Sequence, residues 1–380
     1  MNILLIGEYS RLHNSLKEGL IKLGHNVILV GTEDGFKQFP VDYNYGASIF
    51  SRPKLKLFSI LINRLTGLNL QQIESAIRFY RLLPKLKEFD TVQLINENSI
   101  KTNATLEIWL LKKIIKNNKK MFLLSCGIDH LSVKYAYDKK FKYSILTPYH
   151  ENPNLKEYYK FIFLKLQRPA IKLHDFIFKH VNGVLASDID YHLPLLNHPK
   201  YLGLVPNPIN YNKIEFIPLS MTNKIIIFHG VNSQNYIKKG NVFFDEAIEI
   251  IKNKFPDKVK VIRTEDIPYN DYIKVYDACH ILLDQVYAYD QGYNALEAMA
   301  KGKVVFTGAE QEWLDYYNIE ADTVAINALP DANKISAKLE WLILNPENIL
   351  KISKNARAFI EKEHDYITIA QKYLEVWKPN

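Results

Sequence analysis

Gly292-Tyr293-Asn294-Ala295-Leu296-Glu297-Ala298-Met299-Ala300-Lys301-Gly302-Lys303-Val304-Val305 reads as a loop, a short helix, a glycine stop and a strand. A strand-like run over 281–284 and a loop over 285–291 precede it. This order puts Glu297 in the first turn of a helix that follows a strand end. In open α/β sheets ligands bind beyond the carboxyl ends of strands. A helix N-terminus adds unpaired N–H groups and a positive dipole end, which suit a phosphate. The stretch therefore predicts one wall of a site for a phosphorylated ligand.

Working outward, the 380 residues suffice for two domains of ordinary size. A 47% hydrophobic and 24% charged composition describes a soluble chain with a sizeable core. Cys126 and Cys279 lie far apart and lack metal-ligand spacing, which points to a reducing compartment. The chain enters a strand at once, without the charged region and cleavage site of a secretory signal. No apolar run reaches the roughly 18 residues of a membrane span. A cytoplasmic protein is expected.

The net charge of +8 is unevenly placed. Residues 52–88 hold eight cations (Arg52, Lys54, Lys56, Arg64, Arg78, Arg81, Lys85, Lys87) against Glu74 and Glu88. Leu55, Leu57, Phe58, Ile60, Leu61, Ile62 and Leu65 interleave with them. A basic, aliphatic surface helix fits the anionic inner face of a membrane. The plainer alternative is a solvated lysine face on a core helix. The charge is modest and no recognition motif is present, so nucleic acid is not an expected partner.

Two successive βαβ patterns organise the chain. The first has a strand over 2–6, a turn at Gly7-Glu8-Tyr9, a helix over 14–23 and a strand over 27–30. Its turn lacks G-x-G-x-x-G, which argues against a nicotinamide or flavin enzyme. Strands over 91–95 and 121–125 follow, the second ending in Cys126-Gly127-Ile128-Asp129-His130. Residues 133–149 are too polar for a core helix and are expected at a cleft rim. Residues 154–180 read as one long helix, and 181–187 as a strand ending at Asp188-Ile189-Asp190. Pro206 and Pro208 flank one residue and force an extended segment, taken as the domain boundary.

The second pattern opens with a strand over 224–228, ending at His229-Gly230. Lys238-Lys239-Gly240 introduces a helix over 243–252, and further strands are expected over 259–263, 281–284 and 304–307. Three helices close the chain, over 332–344, 346–363 and 366–377. A glycine after a strand lets backbone approach a phosphate, and neighbouring lysines supply charge to a diphosphate. A carboxylate near a helix start can accept hydrogen bonds from ribose hydroxyls. Glu297 could also complete a capping box with Asn294 as N-cap.

The 292–305 stretch resembles the ALEAMA-x-G-x-P-V-V segment of GT-B glycosyltransferases, particularly the large retaining family 4. In that family the last glutamate of an E-x7-E motif binds the donor ribose, and Glu297 matches it. The first glutamate would fall at Tyr289, with Asp290 next to it as a substitute. Lys239 before Gly240 resembles the lysine of the family's diphosphate grip; its arginine has no clear match, and Asn232 and Lys238 sit nearby. Gly7 and the Gly19-Leu20 to Gly24-His25 segment resemble the acceptor domain. Residues 125–143 and 188–191 look like a bacterial subgroup linked to surface polysaccharide such as lipopolysaccharide or capsule.

The resemblance implies an α/β protein with two Rossmann-like domains facing a cleft. The acceptor domain would span 1–205, joined by a crossing helix within 364–380, and the donor domain 209–363. Donor-binding residues would be His229, Gly230, Asn232, Lys238, Lys239, Asp290, Gly292, Tyr293, Asn294 and Glu297. Gly7, Glu8 and Tyr9 would lie on the acceptor side, and Asp129 and His130 would supply the catalytic polar groups. The substrates would be a nucleotide-diphosphate sugar and a saccharide or lipid-linked acceptor, with no further cofactor. Asp188 and Asp190 are read as helix caps, since a GT-B site needs no divalent ion. The competing readings are a nucleotide-sugar epimerase of the same fold and a non-catalytic sugar-nucleotide- or polysaccharide-binding partner.

Overall fold

The computed structural model describes residues 1–32, 39–220 and 223–378. The first sheet contains β1 (Asn2–Ile6), β2 (Asn26–Gly31), β3 (Tyr43–Asn44), β4 (Thr91–Leu94), β5 (Lys120–Ser125), β6 (Gly183–Ala186) and β7 (Tyr201–Leu204). Its spatial order is β3-β2-β1-β4-β5-β6-β7, every pairing parallel. Ile3, Leu4, Leu5 and Ile6 are all fully buried, because helices cover both faces of such a sheet.

The second sheet contains β8 (Ile225–Val231), β9 (Val259–Glu265), β10 (Ile281–Leu283), β11 (Val304–Thr307) and β12 (Ile326–Asn327). Its order is β12-β11-β10-β8-β9, again parallel throughout. The expected α/β architecture of two Rossmann-like halves is therefore present. Among the described residues no helix is long and apolar enough to cross a membrane.

The last helix, Tyr366–Trp377, crosses back onto the first half and packs against the helix Leu12–Lys22. Gly19 makes this possible. A Cβ there would stand 2.2 Å from the Tyr366 carbonyl oxygen. Trp377 Nε1 donates to Gln93 Oε1 at 3.1 Å, beneath the first sheet's β4. The Val205–Asn210 connection is buried rather than a loose linker. Ile209 N–H donates to the His364 carbonyl at 2.7 Å, and His364 Nδ1 lies 2.8 Å from the Asn207 carbonyl.

The single helix expected over 154–180 is in fact broken. It runs as Lys156–Phe163, a 3-10 turn at Leu164–Leu166, and Arg168–His180. Arg168 starts the last piece and Pro169 falls in its first turn, where the missing N–H costs no helical bond; the N-cap before it, Gln167, is extended at φ −86°, ψ 155° and ends the preceding turn. Val133, Ala136, Leu146, Tyr159 and Ile162 form a separate small core, against which Ile237 of the second half packs. The region between His130 and Leu166 is thus a cap that touches both halves.

Candidate active site

A cavity of about 450 Å³ opens between the two halves. Its walls come from segments that follow β1, β5, β6 and β10, the carboxyl edges of both sheets. Tyr9 lies after β1, Cys126 to Ile128 after β5, Ser187 to Tyr191 after β6, and Gln285 to Tyr293 after β10. The cap adds Val133, Phe141, Ser144 and Ile145, so the expected rim role of 133–149 has a structural counterpart.

On the first half, Gly7 turns the chain at φ +90°, and a Cβ there would approach Ile95 Cγ2 to 2.2 Å. Glu8 is 1% exposed and accepts from Asn14 N–H at 2.8 Å and Asn14 Nδ2 at 2.7 Å. It fixes the start of the Leu12–Lys22 helix, leaving Tyr9 as the member of this trio that lines the cavity.

Asp129 and His130 fall outside the cavity lining. Asp129 is the N-cap of the helix His130–Tyr137: Oδ1 accepts from Ser132 N–H at 2.8 Å, and Ser125 Oγ donates to Oδ2. His130 Nδ1 lies 2.8 Å from the Lys165 carbonyl, and its N–H donates to Glu97 Oε2 at 3.1 Å. These bonds tie the cap to the first half. Burial, then the nearby Glu97, raises the Asp129 carboxyl above its usual range.

Asp188 and Asp190 differ from their expected capping role. Asp188 occupies the N-cap position of the helix Ile189–Leu195 without making a cap bond. Asp190 reaches across the cleft and accepts from the N–H groups of Tyr289 at 3.1 Å and Asp290 at 3.2 Å. Asp290 answers by accepting from Ile189 N–H at 3.0 Å. The two carboxylates form a reciprocal clasp between the halves. Burial, reinforced in Asp190 by Asp290, pushes each of these carboxyls up to about 7. A Ser-Asp-x-Asp run at a strand end carries the same signature whether it caps its own helix or meets another domain, so only tertiary contact separates the two.

On the second half, β8 extends to Val231, so His229 and Gly230 are strand residues rather than a loop beyond the strand. His229 is fully buried, with Nε2 3.5 Å from Asp245 Oδ1. Burial pulls its pKa down to about 4, so the ring is neutral near pH 7. A Cβ at Gly230 would meet Tyr272 Cε2 at 2.5 Å; the glycine makes room for a tyrosine ring. Asn232 is exposed and accepts from Gln234 N–H at 3.0 Å in a local turn. His229, Gly230 and Asn232 are not among the residues lining the cavity.

Lys238 and Lys239 do line it. Lys239 Nζ is 3.0 Å from Asp284 Oδ1, and Lys238 stands over the Tyr158 ring at 5.5 Å. Desolvation lowers the Lys238 ammonium below its usual pKa. Gly240 then turns at φ +68° to start the helix Asn241–Lys254; a Cβ there would be 2.7 Å from Val286 Cβ.

The opening stretch forms the helix Tyr293–Ala300 with Gly292 as N-cap. Glu297 is its fifth residue, in the second turn rather than the first. Asn294 is inside the helix and is not the cap of a capping box. Its Nδ2 donates to Asp284 Oδ1 at 2.9 Å and its Oδ1 accepts from Tyr272 Oη at 3.1 Å. Gly292 and Tyr293 line the large cavity, and Tyr293 Oη donates to the Pro208 carbonyl at 2.6 Å. Glu297 lines a separate recess of about 50 Å³ with Arg11, Ser15, Asn210 and Lys213.

Tyr289, where the resemblance places a glutamate, is 2% exposed. It packs between Phe141 at 5.1 Å and Tyr143 at 5.6 Å, and its Oη accepts from Lys142 N–H at 2.7 Å. Asp290 is the carboxylate of this loop that faces the cavity.

Comparison with known proteins places this geometry. Residues 236–375 match the family described as glycosyl transferase-like. No curated protein matches the sequence. Among solved structures, sucrose-phosphate synthase from Thermosynechococcus elongatus aligns at TM-score 0.61 and 15% identity, over 99% of this chain and 98% of that one. Anabaena HepE, solved in complex with UDP and glucose, aligns at TM-score 0.59 and 13% identity, over 99% and 98%. A putative UDP-N-acetylglucosamine 2-epimerase from Listeria monocytogenes aligns at 0.52 and 10%, over 98% and 94%. The chain therefore has the two-domain GT-B fold over nearly its whole length, and residues 236–375 within it carry the glycosyl transferase-like family match.

Proposed function

We propose that this protein transfers a sugar from a nucleotide-diphosphate sugar to a saccharide or lipid-linked acceptor. The carrying observation is the cavity bounded by the carboxyl edges of both parallel sheets, with Lys238 and Lys239 on one wall. The donor diphosphate binds beside these two ammonium groups. They offset the charge that grows on it as the bond from the anomeric carbon to the phosphate oxygen breaks. An acceptor hydroxyl forms the new bond to that carbon and passes its proton to the departing diphosphate oxygen. Asp190, Asp290 and Tyr9 line the same cavity; on this reading the two carboxyls hold sugar hydroxyls and Tyr9 belongs to the acceptor side.

Retention of configuration follows from the resemblance to family 4, and the lysines take the role a divalent ion has elsewhere. A role in bacterial surface-polysaccharide assembly fits the same resemblance. A lipid-linked acceptor would bring a cytoplasmic enzyme to the inner membrane face, in keeping with the basic 52–88 region. HepE was solved with UDP and glucose, which makes UDP-sugars the first donors to try.

A thermal-shift screen of nucleotide sugars tests the donor, since a ligand of the folded state raises the midpoint. Glu297→Ala should weaken donor binding if the ribose reaches the recess around Glu297; unchanged binding and turnover would remove that assignment. The alignment to a putative 2-epimerase supports a second reading in which no acceptor is needed. Release of an epimerised sugar without acceptor would establish it, and acceptor-dependent transfer would exclude it.

A further inference from the structure

We propose that the outward face of the helix Pro53–Thr66 docks on an anionic lipid bilayer. An ordinary amphipathic helix turns its apolar stripe to the core. This one turns it out. Leu57, Leu61 and Leu65, each four residues apart, are 70%, 53% and 73% exposed. Phe58 and Ile60 flank the stripe, and Leu68 continues it beyond the helix end; all three are exposed as well. Ser59 is the one residue of the helix that is buried.

The polar residues fit the same surface. The helix has no acidic residue, and Lys54, Lys56 and Arg64 share it with the leucines, with Arg52 at its N-cap. Long basic side chains beside an apolar stripe reach phosphate headgroups while the stripe enters the acyl boundary. The helix stands on a firm base. Glu74, 7% exposed in the neighbouring helix Leu70–Leu82, accepts from Ser48 N–H at 2.8 Å and from the N–H groups of Ile49 and Phe50 at 2.9 Å each. That carboxylate fixes the turn leading into the exposed helix.

A second copy of the chain is the competing occupant. A two-fold contact would bring the Lys54, Lys56 and Arg64 cations of one copy against those of the other with no acidic residue of the helix to answer them, which like-charge repulsion opposes. An anionic bilayer answers both the leucines and the cations. The proposal deepens the reading of a membrane-borne acceptor, yet its test does not depend on turnover.

Vesicle flotation of the full chain at low salt, with phosphatidylcholine alone or mixed with phosphatidylglycerol, provides the test. Wild type should float with the anionic vesicles and much less with the neutral ones. The L57Q/L61Q/L65Q variant should lose partitioning by at least about ten-fold. Lys54→Gln with Lys56→Gln and Arg64→Gln should lose it as well, as should raised salt. These side chains are exposed, so both variants should keep the wild-type melting midpoint and any UDP-induced shift. Failure of wild type to float would overturn the proposal, and so would flotation unaffected by the leucine changes. A wild-type dimer that the leucine changes dissociate, without flotation, would assign the face to a second copy instead. Absence of a nucleotide shift in every variant would count against sugar transfer and leave the membrane result standing.

Discussion

Replacing Gly19 by alanine sets two effects of opposite sign against each other. Gly19 lies inside the helix Leu12–Lys22, where alanine is favoured over glycine by about 1 kcal/mol. The new methyl, however, would stand 2.2 Å from the Tyr366 carbonyl oxygen, 2.9 Å from its carbon and 2.8 Å from Ala370 Cβ. Carbon-to-oxygen contacts settle near about 3.3 Å, so the crossing helix would retreat by roughly 1 Å. The obstacle is main chain and cannot rotate away. Overpacking of this kind costs about 1–3 kcal/mol, here toward the upper end.

The retreat also loosens Ile369, Ala370 and Tyr373, which are buried against the first half, and strains the Trp377–Gln93 hydrogen bond. The net expectation is a loss of about 1–2 kcal/mol, from the difference of the two effects. At roughly 2 cal/mol/K of unfolding entropy per residue, a chain of 380 residues shifts by about 1 °C per kcal/mol, so calorimetry should record a midpoint about 1–3 °C lower. A midpoint equal to or above wild type would show that helix propensity wins, and that the two helices do not meet as tightly as a 2.2 Å approach requires.

Other perturbations address the site and the pH response. Lys239→Met removes a cavity cation and leaves Asp284 to Asn294 and Thr307; UDP affinity should fall roughly ten- to hundred-fold by calorimetric titration, and an unchanged Kd would sink the diphosphate assignment. Glu107 is fully buried and accepts from Ile100 N–H, Thr102 N–H and Thr102 Oγ1, yet burial pushes its carboxyl up from 4.5 to about 7. The folded state holds this proton more tightly than the unfolded chain. The associated stability is therefore full below about pH 4.5 and lost as pH rises through about 7, amounting to about 3 kcal/mol. Denaturant midpoints of Glu107→Gln should lack that decline, and parallel pH profiles for the two proteins would refute the account.

Sequence alone determined the order of elements where the pattern was strong. Short apolar runs such as Ile3-Leu4-Leu5-Ile6 carry the signature of strands buried on both faces, and the last three helices, Ala332–Leu344, Pro346–Glu363 and Tyr366–Trp377, kept their expected bounds. Apolar periodicity and proline placement are local, so they survive without knowledge of the fold. The edge strands β3 and β12, two residues each, gave no such signal.

The opening stretch was legible as loop, helix and strand, but not in the direction its side chains take. Whether Asn294 caps a helix or bonds Asp284, and whether Glu297 faces the cleft or the recess of Arg11 and Lys213, depends on where the helix begins and what packs beside it. Asp190 is the sharpest case. Its partners are backbone N–H groups of Tyr289 and Asp290, about a hundred residues away, and no local pattern encodes them. Periodicity set which faces are apolar. Only the meeting of the two sheets decided which carboxylates share the cavity, and only the packing of Pro53–Thr66 showed its leucines turned to the outside.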